Sequence, residues 1–128
     1  MLLLDTCTML WLADDQSRLS TAAREWLARQ KDALYFSPIS AWEITWKHRS
    51  GKLSLPIAPA EWLTRAIQIH GLIEAPITRE IVVASALLPD HHRDPCDRIL
   101  VATAQERRFR LLTPDERIHQ YPEANACW

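Results

Sequence analysis

The chain has 128 residues and a mass of 14.8 kDa, enough for one compact domain and too little for two ordinary ones. Its 48% hydrophobic and 24% charged residues, with only two Gly, exclude disorder, collagen-like repeats and low-complexity sequence. Fifteen Lys and Arg against sixteen Asp and Glu leave a formal net charge of -1, so no global basic field advertises a polyanion and any such ligand must be met by a local patch.

The apolar run Met1–Leu4 reads as a strand buried on both faces. It meets Asp5 at once, far short of the roughly 20 residues of a membrane span, so neither export nor a membrane is expected. Thr6 to Ala13 reads as a short helix, and Ser20 caps a second with Ala23, Trp26 and Leu27 on one face. Ala33–Phe36 is another strand. Ser37-Pro38 after it is a cap followed by proline at the first helical position, opening a helix that runs to about Arg49 and stops at Gly51. Beyond Pro56 and Pro59, residues Trp62, Leu63, Ala66, Ile67 and Ile69 mark an amphipathic helix ended by Gly71. Leu72–Ala75 is a third strand, Thr78–Leu88 a helix, and Pro89–Asp94 a polar loop leading into a helix from Pro95 to about Arg108. Leu111-Leu112 is the fourth strand and Thr113-Pro114 opens a last helical turn, while Tyr121–Trp128 has no readable period. Strands alternating with helices predict an α/β fold with a parallel sheet and right-handed crossovers. With neither repeat nor linker, residues 1–128 read as a single domain. The three cysteines (Cys7, Cys96, Cys127) are odd in number and far apart, which supports neither disulfides nor a zinc knuckle and fits a reducing cytoplasm.

In open α/β sheets ligands bind at the carboxyl ends of the strands, and Asp5, Asp94, Asp97 and Asp115 all have addresses there. Each also reads as a helix cap or first-turn acid. Glu43 does not: Ile39, Trp42, Glu43 and Trp46 fall at i, i+3, i+4 and i+7, which places a carboxylate in an apolar stripe that needs a cationic partner. Lys47, one turn on, is the plain candidate for an i,i+4 pair. Asp97 heads a similar stripe with Leu100, Val101 and Ala104. Acids gathered at one place repel by up to about 4 kcal/mol per close pair at an effective dielectric near 20, and a divalent cation relieves this. All-oxygen donors, with no His or Cys at ligand spacing, favour Mg²⁺ or Mn²⁺ over zinc.

Four stretches carry a resemblance: Leu3-Leu-Asp-Thr-Cys-Thr-Met-Leu-Trp11, Ser37-Pro-Ile-Ser-Ala-Trp-Glu-Ile44, His92-Arg-Asp-Pro-Cys-Asp-Arg-Ile-Leu-Val-Ala-Thr-Ala104 and Leu111-Leu-Thr-Pro-Asp115. In order and together they resemble PIN-domain ribonucleases, specifically the VapC-like toxins of bacterial type II toxin–antitoxin pairs. The resemblance implies a three-layer domain, a short parallel sheet flanked by helices. It implies a homodimeric, magnesium-dependent endoribonuclease paired with a cognate antitoxin protein. Its catalytic and metal-holding acids would be Asp5, Glu43, Asp97 and Asp115, with Thr113 supporting and Asp94 an auxiliary acid or cap. Cys96 departs from the bulky apolar residue usual between the two acids, and Cys7 from a common polar one.

Phosphodiester hydrolysis needs an activated water and relief of phosphate charge, which carboxylate-held metal supplies. Asp5, Glu43 and Asp97 would hold one ion, and Asp115 would help recruit a second. The implied products are a 5′-phosphate and a 3′-hydroxyl. The local patch for RNA is Lys47, His48, Arg49 and Lys52, with Lys47 and Arg49 as substrate contacts, although the same charges suit a helix C-terminus. Arg107, Arg108 and Arg110 read as solvated, Arg98 as an ion-pair partner of Asp97, and His91 and His92 as exposed loop residues. Trp26, Trp42, Trp46 and Trp62 fall on helical stripes and read as core or dimer interface rather than stacking platforms. Two alternatives compete. A receiver-like signalling domain would need an Asp within Leu53–Pro59 and a late Lys, both absent. A non-catalytic PIN-like module binding RNA or protein would retain the fold without turnover.

Overall fold

The computed structural model describes residues 1–128 as a four-stranded parallel sheet with seven α-helices. The strands are β1 (Leu2–Leu4), β2 (Leu34–Phe36), β3 (Ile73–Glu74) and β4 (Arg110–Leu112), in the order β3-β2-β1-β4. The helices are α1 (Thr6–Asp14), α2 (Thr21–Arg29), α3 (Pro38–Arg49), α4 (Pro59–His70), α5 (Arg79–Leu87), α6 (Pro95–Arg107) and α7 (Glu116–His119). Short polar caps set their starts: Asp5, Ser20, Ser37, Thr78, Asp94 and Asp115 each accept a backbone N–H of the following first turn. Gly71 ends α4 in the left-handed conformation that glycine adopts without steric cost.

β1 is central, and its three leucines are almost wholly buried. The period of two sends Leu2 and Leu4 to one face, against Met9, Leu12, Leu27, Ile44 and Trp62, and Leu3 to the other, against Ile81, Leu100, Val101 and Ile118. Helices α1–α4 cover the first face and α5–α7 the second, giving three layers. No helix is long and apolar enough to cross a membrane. The stretch without a readable period forms a one-turn helix at Pro122–Ala124 and then a bridge: Cys127 pairs with Leu112 beside β4, exchanging hydrogen bonds with Thr113 and Leu111.

The helical spacing reads Trp42 and Trp46 as core or dimer interface, and the core half of that expectation is corrected: they are 56% and 50% exposed. Helix α3 instead buries Ser40, Glu43 and Ile44, because the small Ser40 lets it approach α1 closely enough for the Thr6 hydroxyl to donate to Ser40 Oγ at 3.0 Å. The inward stripe is therefore built on residues 40, 43 and 44, and the indoles point away. Trp62 is buried as expected.

Candidate active site

Each acid owes its place to a junction. Asp5 follows β1 and caps α1; Asp94 caps α6, with Asp97 in its first turn; Asp115 follows β4 and caps α7; Glu43 comes from the middle of α3. All five carboxylates line one cavity of about 190 Å³ together with Thr6, Cys7 and Lys47. The cap readings are fulfilled, and because a cap uses one carboxylate oxygen, the same acids can still line the cavity. Oδ1 of Asp5 takes the Thr8 N–H at 2.8 Å, Oδ1 of Asp94 the Cys96 N–H at 2.9 Å and Oδ1 of Asp115 the Arg117 N–H at 2.9 Å.

Thr113 ties two corners together: its hydroxyl donates to Asp5 Oδ2 while its oxygen accepts the Asp115 N–H at 3.1 Å. Burial raises the Asp5 carboxyl above its ordinary value, against the hydrogen bonds from Thr113, Thr8 and Cys7. Asp97 is pushed up to about 8, first by burial and then by the charges of Asp94, Glu43, Asp5 and Asp115. These carboxylates are thus close enough to oppose one another's ionisation. Glu43 has the predicted partner, Lys47 Nζ at 3.1 Å. Burial alone would lower the Lys47 ammonium, but its hydrogen bond to Glu43 and the surrounding acids hold it above its usual value.

The cysteines find roles as thiols. Cys7 donates to Asp5 at 3.3 Å, and burial beside Asp5 pushes it well up; Cys96 rises to about 12, by burial and then Glu43, Asp94 and Asp97. Neither is disposed to become a thiolate ligand.

Two loop expectations are overturned. His92 is buried, with Nε2 2.9 Å from Asp97 Oδ2 and 3.1 Å from Asp115 Oδ2. The reason is tertiary: Tyr121, from the unread C-terminal stretch, accepts the His92 N–H at 2.9 Å and donates to the Pro89 carbonyl. No local pattern carries that signal. Arg98 does not pair with Asp97; it donates to the carbonyls of Ser85, Leu88 and His92 and lies 3.5 Å from Asp90. His91 packs edge-on against Tyr121.

A larger groove of about 490 Å³ adjoins the acid cavity, sharing Glu43, Lys47 and Asp94 with it. Ile39, Trp42, Trp46, Lys52, Pro95 and Cys96 complete its lining, and the two indoles lie parallel, 5.9 Å apart. Arg49 is exposed at the end of α3 and lines neither cavity.

Residues 2–124 match the PIN domain family. Ribonuclease VapC22 of Mycobacterium tuberculosis is 30% identical over 129 residues, covering 98% of this chain and 97% of its own length. Among solved structures, VapBC2 from Rickettsia felis bound to a promoter DNA fragment superposes with a TM-score of 0.73 at 11% identity, covering 98% of this chain and 96% of that one. DNA-bound VapBC from Salmonella typhimurium gives a TM-score of 0.71 at 16% identity, with the same coverage of both chains. A toxin–antitoxin complex from Klebsiella pneumoniae gives 0.66 at 21%, over 100% and 97%. At these identities the structural likeness speaks for the fold.

Proposed function

The chain belongs to the PIN domain family, and from that premise we propose that it is a metal-dependent endoribonuclease, the toxin component of a type II toxin–antitoxin pair. The observation that carries the reading is the gathering of five carboxylates in one pocket, where burial first and then the charges of Asp94, Glu43, Asp5 and Asp115 push Asp97 up to about 8. Folding such a cluster costs free energy unless a cation offsets the charge. The donor set fits a hard divalent ion: carboxylate oxygens predominate, and both nearby cysteines are held as thiols. We assign Mg²⁺, with Mn²⁺ as substitute, to Asp5, Glu43 and Asp97, with Asp115 completing the set. When bound, the ion supplies charge relief at the scissile phosphate and a lower pKa for the attacking water.

The chain's own residues do the rest. Thr113 orients Asp5 and Asp115 through one hydroxyl, and Asp94 fixes the start of α6, so that Asp97 faces the cavity. Lys47 pairs with Glu43 and lines the groove, so with Glu43 holding a cation its ammonium would be available to an RNA phosphate at the groove's mouth. Lys52 continues that positive edge, Arg49 adds charge beyond it, and the exposed indoles of Trp42 and Trp46 offer flat faces to unpaired bases. By the same reading, residues 1–128 act as one unit, as a homodimer held in check by a cognate antitoxin protein. No feature of the pocket favours a non-catalytic module, since every acid such a module would be free to lose is present and faces the cavity.

The test is cleavage of total RNA by the antitoxin-free protein in Mg²⁺, beside an EDTA control and the variants Glu43→Gln and Asp97→Asn. Cleavage lost in all three supports the assignment; cleavage persisting in both variants removes it.

A further inference from the structure

We propose that His92 is a positioning residue of this site: an imidazole whose Nδ1 accepts a backbone N–H, so that its Nε2–H draws Asp97 and Asp115 together and stays outside the coordination shell. The part played by the carboxylates rests on the metal-nuclease reading above; the state of the ring does not.

The ring's tautomer is decided by its far side. The backbone N–H of Asp94 donates to His92 Nδ1 at 3.2 Å, and a ring nitrogen that accepts carries no proton. The ring proton is therefore on Nε2, which faces Asp97 Oδ2 and Asp115 Oδ2 at 2.9 and 3.1 Å. One N–H is shared between two carboxylates from different elements, α6 and the start of α7. Asp115 depends on it most, because its side chain is 34% exposed and its remaining side-chain contact is the Arg117 N–H, which turns it outward as a cap.

The ring cannot readily leave this post. Its main chain is held on both sides, the N–H by Tyr121 Oη at 2.9 Å and the carbonyl by Arg98 Nη1 at 2.9 Å, and the residue is buried. Buried backbone groups deprived of such partners are costly to leave unpaired.

His92, Asp97 and Asp115 present three ligand atoms within 4.8 Å of one another, a spacing that would suit zinc. The Asp94 N–H argues against that use. To ligate through Nε2 the ring must place its proton on Nδ1, where it would meet the Asp94 N–H head-on. The imidazole is thereby kept a donor, and what it offers the pocket is a pair of aligned carboxylates, the hard-ion half of the set. The surrounding loop thus discriminates against metals that seek nitrogen.

The experiment has two parts. In ¹⁵N-labelled metal-free protein, the His92 nitrogens should show an unprotonated Nδ1 and a protonated Nε2, unchanged in pattern after Mg²⁺ or Zn²⁺ is added. Mn²⁺ titration followed by electron paramagnetic resonance should show at least ~10-fold weaker binding in His92→Ala and most of it regained in His92→Gln, whose amide restores a donor at the Nε2 position. A protonated Nδ1, a metal-ligated Nε2 shift, or parent-like Mn²⁺ affinity in His92→Ala would overturn the proposal. If the parent binds no Mn²⁺, the metal reading fails instead, and the proposal, which requires ligand carboxylates, fails with it; the ¹⁵N pattern then separates a wrong tautomer from a wrong metal assignment. Should His92→Ala not fold, the parent spectra and His92→Gln still decide.

Discussion

The corner of the site around Asp5 and the corner around Asp97 hold their carboxylates by different means. Asp5 is surrounded by short-range donors: the Thr8 N–H and the Cys7 thiol of its own helix turn, joined by Thr113 from the adjacent strand end. Asp97 lies against four other acids, and the donor that faces it, His92, is placed by its neighbour Arg98 and by Tyr121 from the C-terminal stretch. The first corner is completed by hydrogen-bond donors alone and is close to self-sufficient. The second crowds like charges together and needs a cation to offset them, so it should respond more to mutation, pH and metal.

The sharpest way to break the contrast is at the reaction itself: Asp97→Asn should lower RNA cleavage at least ~100-fold in a Mg²⁺ assay, through lost charge stabilisation. The same variant, free of metal, should melt no lower than the metal-free parent, because its side chain no longer has to take up a proton on folding or, above about pH 8, bear a charge opposed by its neighbours; a clear drop would mean that Asp97 works as a cap. Next comes pH. Between the ordinary 3.8 and about 8, folded Asp97 keeps a proton that the unfolded chain has released, so raising pH through this window favours unfolding. The raised Asp5 acts with the same sign. Thermal melts in EDTA should therefore show stability greatest below about pH 4 from this source and falling toward pH 8. Saturating Mg²⁺ should flatten that slope, and a melt curve indifferent to both would remove the distinction.

A smaller effect is expected from Tyr121→Phe, which leaves the His92 N–H and the Pro89 carbonyl without their partner. Denaturant unfolding should show a loss of about 1–3 kcal/mol. Smallest in stability is Trp42→Ala: with the indole more than half exposed, the cost should stay below about 1 kcal/mol, while RNA binding measured by tryptophan quenching weakens.

The two corners also differ in how far they could be read from sequence. Asp5, Asp94 and Asp115 sit where strand ends meet helix caps, signals a few residues long. Glu43 was expected to turn inward and does, yet with Ser40 and Ile44 rather than with the tryptophans, because close helix packing favoured a small hydroxyl over large rings. His92 was unreadable: its burial depends on residues 98 and 121, and Tyr121 lies in a stretch whose one-turn helix and single bridge have no period. Arg98 misled for the same reason, since five carbonyls from the end of α5 and the loop after it outbid the neighbouring carboxylate.

Strand β4 is clasped by both extremities of the polypeptide. The Met1 carbonyl receives the Arg110 N–H at 3.1 Å, and Cys127 brackets Leu111 and Thr113. An affinity handle or fluorescent fusion at either end will therefore tug on the same ribbon that presents Thr113 to its two acids. A reporter spliced into an exposed internal loop, such as the turn around Gly51, should leave that ribbon undisturbed.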